Sequence, residues 1–487
     1  MEASMKQTVA KWVRRVVVGV LLLGLFGTLW ATRWAYQEYQ RRTGLYWYEV
    51  AQDTRIGFPG ELDRFSVQIG VEGLTWPVRR GGCDTAMLRL SMRSTLSGRW
   101  FEPAVVAEAP GADPFVQYFE RRVDGARWLN VSPLCESVSA DTVVGLAGRH
   151  VQWEPQDAEL VLFPKPQLDI GPLLVLAPHP DDAEIAAFGL YRAIPDTYVI
   201  TITAGDYEGR GLEYLAADPA ARAALRGRLR VWDSAAVPLF GGIPIANVAN
   251  LGYFNGLLRK MHTRRFDIVG DDRGGSTAVR KYRHQISSPL LDDRAVESTW
   301  ESLVEDLVLL LGSIRPTTVV TPHPLLDRSD EHQFTTVALL EALSRLGDPP
   351  MQLLLYTNHA PGSEYFPFGP ADGWMTLPPV PTAVTLPAVY SFALSEEALL
   401  DKLFALDAMH DLRAAPRRQL GDETRRTIAK ARRLAREFWA DPYDYYSYFR
   451  RAVRPNELFV VVGLEHLDKL RTDLEVWLPG VQVRHVE

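Results

Sequence analysis

Cysteine is scarce in this 487-residue chain, which has only two, Cys83 and Cys135. No zinc-finger pattern can be assembled from them. Positive charge is not in excess either: 53 basic residues stand against 60 acidic ones, a net charge of −7. That balance supplies no electrostatic footprint for nucleic acid, and no nucleic-acid motif is present. Polar low-complexity tracts and internal repeats are also missing. What remains, 47% hydrophobic and 23% charged residues, is the composition of a folded protein. The length exceeds one ordinary core, so two domains and an appendage are expected.

Charge is absent altogether from Val16 to Ala31. That run falls short of the ~20 residues a spanning helix needs. Arg33 can snorkel, and Trp30, Trp34 and Tyr36 suit a membrane interface, which lengthens the effective span. No small-x-small cleavage site follows, so an uncleaved anchor is expected; a cleaved signal peptide and a buried helix are the alternatives. Lys6, Lys11, Arg14 and Arg15 precede the run, while Arg33, Arg41 and Arg42 follow it, a weak bias toward a cytoplasmic N-terminus. Both cysteines lie beyond the run. Paired, they fit one disulfide in an oxidising compartment; reduced, they are two buried thiols. The expected location is the inner membrane, single-pass, with the body in the periplasm.

From Phe65 to Val161 the rhythm is β. Phe65, Val67, Ile69 and Val71 alternate with smaller or polar residues, as do Leu88, Leu90 and Met92 with Arg89, Ser91 and Arg93. Glycine breaks at Gly81-Gly82, Gly98, Gly111 and Gly125 fall at hairpin-like distances. A small antiparallel sandwich is expected. Trp76, Trp100 and Trp128 either offer stacking faces to carbohydrate or fill its core. After Pro155–Pro172 the pattern changes. Apolar runs Leu173–Ala177, Tyr198–Thr203, Thr317–Thr321 and Leu353–Tyr356 alternate with helical stretches at Ala183–Arg192, Ala220–Ala236, Glu297–Leu311 and Phe334–Leu346. This predicts an α/β domain with a mainly parallel sheet. The chain from Ser395 is helix-rich, with a late strand at Leu458–Val462. The expected domains are 1–45 (tail and transmembrane anchor), 46–165 (β-sandwich), 166–390 (catalytic) and 391–487 (a helix-rich extension packing on the catalytic part).

Open α/β sheets bind ligands beyond the carboxyl ends of their strands. Two clusters of ligand-type residues stand at such ends. One is Pro178-His179-Pro180-Asp181-Asp182-Ala183-Glu184; the other is Pro322-His323-Pro324, running on to Asp327, Asp330, Glu331 and His332. Hydrolysing an amide requires a polarised carbonyl, a deprotonated water and a proton for the leaving amine. Zinc held by three protein ligands with one open position serves the first two needs. His179, Asp182 and His332 are the candidate ligands, and Asp181 the candidate general base. The competing reading has Asp181 and Asp182 merely capping the helix near Ala183.

His179-Pro180-Asp181-Asp182-Ala183-Glu184 resembles the signature of the PIG-L (LmbE-like) de-N-acetylase family. That family includes the glycosylphosphatidylinositol-pathway enzyme and bacterial thiol-pathway deacetylases. Thr203-Ala204-Gly205-Asp206, Arg230 to Asp233, Leu251 to Gly256 and Asp330-Glu331-His332 resemble its later elements, so the likeness runs from about Leu173 to Leu343. The resemblance implies a Rossmann-like catalytic domain, zinc or another divalent ion on His179, Asp182 and His332, and Asp181 as base. The family's assisting histidine falls at Ser329 here, and its late acid is Glu331. His323 or Asp327 is the candidate replacement for that histidine. Asp206, Arg230 and Asn255 are candidates to bind sugar hydroxyls, each with packing or capping as the alternative. Lys402 and His410 lie on a pattern the family sometimes shows, with a structural role expected for His410. Arg425, Arg426, Lys430, Arg432, Arg433 and Arg436 are expected to form a basic helix, either a solvated face or a contact for anionic lipid head groups or phosphorylated glycan.

The expected activity is removal of the N-acetyl group from an N-acetylhexosamine of a cell-envelope glycan or glycolipid, such as lipopolysaccharide core. Hydrolysis of another N-acyl substrate is an alternative. So is a non-catalytic glycan-binding or assembly protein that kept the fold, for which Ser329 is the main support.

Overall fold

The structure, a computed structural model, describes residues 15–33, 45–59, 62–70, 73–77, 82–207, 212–213, 215–270, 277–347, 350–380, 382–410, 412, 448–478 and 481. The flanking residues Lys6, Lys11, Arg14, Trp34, Tyr36, Arg41 and Arg42, and the basic stretch Arg425 to Arg436, lie outside them. The chain falls into two compact units, residues 1–47 and 48–487. In the first, Arg15–Arg33 is one 19-residue helix, long and apolar enough to cross a membrane by length and composition.

The second unit begins with two antiparallel sheets. One runs Asp63–Ile69, Gln156–Phe163, Thr85–Ser94, Asp124–Asn130, with Val151–Gln152 on Thr85–Ser94; the other runs Leu74–Thr75, Val143–Arg149, Ala104–Ala109, Ala112–Tyr118. Their inner faces share a core that includes Leu88, Leu90, Met92, Leu129 and Leu160. Leu88, Leu90 and Met92 enter this core with the period-2 alternation of the sequence, whereas Met87, Trp128, Val161 and Phe163 on the opposite face of the first sheet join a second core shared with the rest of the unit. Cys83 and Cys135 are bonded within this core, their Cα atoms 5.2 Å apart. Trp76 and Trp128 are buried, and Trp128 donates from Nε1 to Ile56 O, so neither offers a stacking face; Trp100 is exposed.

A seven-stranded sheet carries the rest. Its strands are β1 (Leu173–Ala177), β2 (Thr197–Thr203), β3 (Val248–Tyr253), β4 (Thr318–Pro322), β5 (Gln352–Tyr356), β6 (Ala388–Ala393) and β7 (Asn456–Gly463), in the order β3-β2-β1-β4-β5-β7-β6. The first five pair in parallel, but β7 is antiparallel to both β5 and β6. The sheet expected to be mainly parallel is therefore mixed, and among the described residues antiparallel pairing prevails. A continuous apolar run such as Leu458–Val462 reads the same in either direction, so its sense was not legible.

Alternate residues of β1 enter different cores. Leu174 and Leu176 join Trp300, Leu303 and Phe334; Leu173, Val175 and Ala177 join Phe188, Leu190 and Ala405. Helices therefore cover both faces, as the unbroken apolar run requires. They are α1 (Asp182–Ala193), α2 (Pro219–Ala236), α3 (Trp300–Ile314), α4 (Asp330–Leu346) and α5 (Glu396–Ala408). Asp218 caps α2, accepting from Ala221 N at 2.7 Å, with Pro219 in the first turn. α4 starts four residues before the expected Phe334 and ends at Gly347 in the left-handed conformation. Asp330 and Glu331 complement its N-terminus, and His332 sits in its first turn.

The sandwich and the seven-stranded sheet interlock. Asn130 Nδ2 donates to Met375 O (2.8 Å) and Ser391 Oγ (2.9 Å), and Thr376 Oγ1 donates to Trp128 O (2.7 Å). α1 is tied down as well. Its backbone leaves helical geometry at Ala187, and Glu457 of β7 accepts from the amides of Gly189 (2.8 Å) and Leu190 (2.9 Å). Lys402 of α5 neutralises that buried carboxylate at 2.7 Å.

Candidate metal centre

Five adjacent parallel strands end on one side of the sheet, and their following residues build the site. His179, Asp181 and Asp182 follow β1, His332 opens α4 after β4, and Asn358 and His359 follow β5. One ligand-type atom from each of His179, Asp182 and His332 lies within 4.8 Å of the other two. Asp182 Oδ2 is the hub: it is 3.0 Å from His179 Nδ1 and 3.1 Å from His332 Nε2. It also accepts from His179 N at 3.0 Å. Asn358 Nδ2 donates to the other oxygen, Oδ1, at 2.8 Å, which fixes the carboxylate plane.

His332 is fully buried, yet its Nε2 makes no hydrogen bond. A buried imidazole nitrogen left without one is costly unless something else fills its lone pair. Its other nitrogen, Nδ1, is held by Asp327 Oδ2 at 3.0 Å. That oxygen also accepts the amides of Asn358 (2.8 Å) and His359 (3.1 Å). A carboxylate on one ring nitrogen fixes the tautomer that offers the other as a ligand. Two imidazoles and a carboxylate around one point, backed in this way, fit a divalent ion of the zinc type.

The electrostatics agree with the packing. Burial would raise the carboxyls of Asp182 and Asp327, but the neighbouring imidazoles hold both below the usual carboxylate range, Asp182 well below it. Burial would lower His332, and the carboxylates of Asp182 and Asp327 outweigh it and raise the imidazole well above its ordinary value. Glu184, the last residue of the first motif, is pushed up to about 7 by burial and accepts from Tyr191 OH at 3.3 Å.

Asp181 occupies the N-cap position of α1, but its side chain accepts no hydrogen bond from the helix. Side-chain capping therefore does not account for Asp181, while Asp182 lies in the first turn of α1. Asp181 instead holds a φ of 155°, a costly backbone region for a residue with a Cβ. Arg230 grips it, with Nη2 2.8 Å from Asp181 Oδ1 and 3.0 Å from Pro180 O. Arg230 was a candidate for sugar binding; its guanidinium is instead buried against Asp181. Gly205 makes room for it: φ is +66°, and a Cβ there would meet Arg230 Nη1 at 2.5 Å.

The remaining expected residues fall into two groups. Asp206 and Asn255 adjoin each other, Asp206 Oδ1 accepting from Asn255 N at 2.9 Å, and Asn255 Oδ1 is buried without a hydrogen bond. Glu331 Oε1 accepts from Leu258 N at 2.9 Å, steadying the same loop, and burial raises its carboxyl to about 7. His323 corrects the sequence reading. Its Nδ1 accepts from the amides of Leu325 and Leu326, both at 3.1 Å, and its ring lies 6.1 Å from that of Trp477. Burial lowers it to about 3, so at neutral pH the ring is the neutral imidazole and not an acid that can protonate the amine. Asp327, the other candidate, stands behind His332. His410 is tied to Asp233 through its amide (2.9 Å) and Nδ1 (2.6 Å).

Sequence reasoning missed Asn358 and His359. The His359 ring is centred 4.9 Å from that of His332, and burial lowers its imidazole to about 4. Both residues follow a parallel strand end, the criterion that found the first two clusters, but no motif marks them.

Scans of protein-family models and of curated protein sequences give no match. Among solved structures, the chain is similar to a zinc-inhibited form of a teicoplanin deacetylase, at 15% identity and TM-score 0.34, over 60% of this chain and 98% of that one. It is also similar to the N,N'-diacetylchitobiose deacetylase of Pyrococcus horikoshii, at 16% identity and TM-score 0.32, over 61% and 85%. A third is the 4-carboxy-2-hydroxymuconate hydratase of Pseudomonas putida, at 12% identity and TM-score 0.30, over 61% and 96%. Likeness at this level does not assign the chain to a family.

Proposed function

We propose that the chain is a zinc-dependent hydrolase that removes the N-acetyl group from an N-acetylhexosamine and releases acetate. The observation that carries this reading is the buried, hydrogen-bond-free Nε2 of His332 converging with Asp182 Oδ2 and His179, beside an acid that caps nothing. The likeness of His179 to Glu184 to the PIG-L signature supports the choice of an N-acetyl amide.

His179, Asp182 and His332 would hold the ion, which supplies Lewis acidity to the acyl carbonyl and makes a water more acidic. Asp181 accepts the proton of the attacking water. Arg230 keeps that carboxylate in one orientation, and Asn358 does the same for Asp182. Asp327 keeps the His332 proton on Nδ1, away from the site. As the tetrahedral carbon collapses, the C–N bond breaks and the proton held by Asp181 passes to the leaving amine.

The substrate is a glycan or glycolipid of the cell envelope, lipopolysaccharide core being one example. The membrane-length helix Arg15–Arg33 supports this, since a surface-bound substrate suits an anchored enzyme. The Cys83–Cys135 disulfide favours an oxidising compartment, and with it an inner-membrane protein whose body is periplasmic. Acetate release from purified envelope glycans and from N-acetylglucosamine oligomers, with and without chelator, tests the reading. The zinc-loaded wild type should release acetate; Asp181→Asn should be slower by about 10²–10⁴-fold with its zinc retained. Equal release by both would remove Asp181 from the mechanism.

A further inference from the structure

Attack on an amide places negative charge on the acyl oxygen, and a fixed hydrogen-bond donor aimed at that atom lowers the barrier. Most donor side chains around the cluster are already engaged. Arg230 grips Asp181 and Pro180 O, Asn358 Nδ2 holds Asp182, and His323 is locked to its own loop. His359 is different. Its ring is centred 4.9 Å from that of His332, edge to face at 65°, yet its nitrogens are not among the atoms that converge within 4.8 Å. It is a neighbour of the ligand set rather than a member.

Its placement is rigid. The His359 amide donates to Asp327 Oδ2 (3.1 Å), the same atom that orients His332, and its carbonyl accepts from Arg328 N at 2.9 Å. Arg451 of the segment before β7 is buried and donates to Asn358 O and Phe366 O, bracing the loop from behind. The ring's Nδ1 is turned toward Glu364, with Oε2 3.9 Å away. The side chain is 22% exposed, whereas that of His332 is wholly buried, so an incoming acyl group can reach it.

We infer that His359 donates a hydrogen bond from its ring to the acyl oxygen as the water oxygen bonds to the acyl carbon. The carbonyl π pair moves onto that oxygen, returns when the C–N bond breaks, and leaves acetate and a free amine. The inference rests on the hydrolase reading. It makes His359 a catalytic donor and Arg451 its positioning residue.

The test compares wild type, His359→Ala and His359→Gln as zinc-loaded full chains, with zinc content and Tm measured for each. His359→Ala should lower kcat for acetate release by about 10²–10³-fold, as loss of one such donor does, with little change in KM and unchanged zinc content. His359→Gln, which keeps a donor, should recover most of the loss. Acetate, the expected product, is the second probe, because its carboxylate would take the place of the acyl group. Acetate binding, measured by calorimetry, should weaken in His359→Ala and largely return in His359→Gln. An unchanged kcat in His359→Ala, or a loss matched by loss of zinc, overturns the assignment. If even the wild type releases no acetate from any glycan, the hydrolase reading falls. Acetate binding then decides the fate of His359 alone: equal affinity in the three proteins overturns it.

Discussion

Asp327 Oδ2 sits 3.0 Å from His332 Nδ1, both groups fully buried, and the same oxygen gathers the amides of Asn358 and His359. One carboxylate thereby links the ends of β4 and β5 and fixes a candidate ligand. Asp327→Ala should weaken zinc binding by about 10–100-fold, the usual cost of losing such a partner. Competition against a chromogenic chelator measures it. An unchanged affinity would mean that His332 needs no orienting acid.

Zinc and protons should compete at His332. Flanked by Asp182 and Asp327, its imidazole is raised well above its ordinary value despite burial, so a proton competes with a metal for the ring. Binding a divalent ion must displace that proton. Calorimetric zinc titrations at pH 7 in buffers of different ionisation enthalpy should report net proton release on binding. Affinity should fall as pH falls. A buffer-independent enthalpy would contradict this.

His323 should matter for acid stability and not for turnover. Its folded value of about 3 lies below the ordinary 6.5, because burial penalises the charged ring. On acidification the unfolded chain takes up this proton first, so stability declines as pH falls from ~6.5 toward the folded value. His323→Asn, which can still accept from the Leu325 and Leu326 amides, should make the decline of Tm across that window shallower. Its kcat at pH 7 should match wild type. A large loss of kcat with normal zinc would return His323 to the catalytic set.

Much of this site was legible in the sequence, for a physical reason. A ligand cluster at the carboxyl end of a buried apolar strand has few other uses, and His179, Asp182 and His332, named on that ground, lie within 4.8 Å of one another. Pro322-His323-Pro324 met the same criterion and misled. What differs is the turn after it, where the Leu325 and Leu326 amides fold back onto the ring, and spacing does not encode that. Asn358 and His359 were missed because their role comes from a neighbouring strand's carboxylate, a contact between distant segments. Trp76 and Trp128 illustrate a similar gap, since alternation separates two faces without saying which is inner.

Gly205→Ala probes the support of Asp181 indirectly. A Cβ would both strain a φ of +66° and strike Arg230 Nη1 at 2.5 Å. The backbone alone should cost about 1–2 kcal/mol. Displacing the guanidinium should also loosen Asp181, so kcat should fall while zinc content holds. Thermal melts and steady-state kinetics report the two effects separately. A stability loss with unchanged kcat would show that Arg230 does not position the base.

The disulfide should serve folding and not chemistry. It closes a separation of 52 residues within the sandwich core. Replacing both cysteines with alanine should cost about 2–5 kcal/mol, read by denaturant unfolding, and leave zinc affinity unchanged.

The central claim is that one divalent ion is held by His179, Asp182 and His332. Anomalous diffraction from crystals of the zinc-loaded protein, collected on both sides of the zinc absorption edge, tests it most directly. A single peak is expected about 2.0–2.2 Å from His332 Nε2, an Asp182 carboxylate oxygen and a His179 ring nitrogen, with a fourth position left for solvent. No peak there, or one bound elsewhere on the chain, would contradict the account.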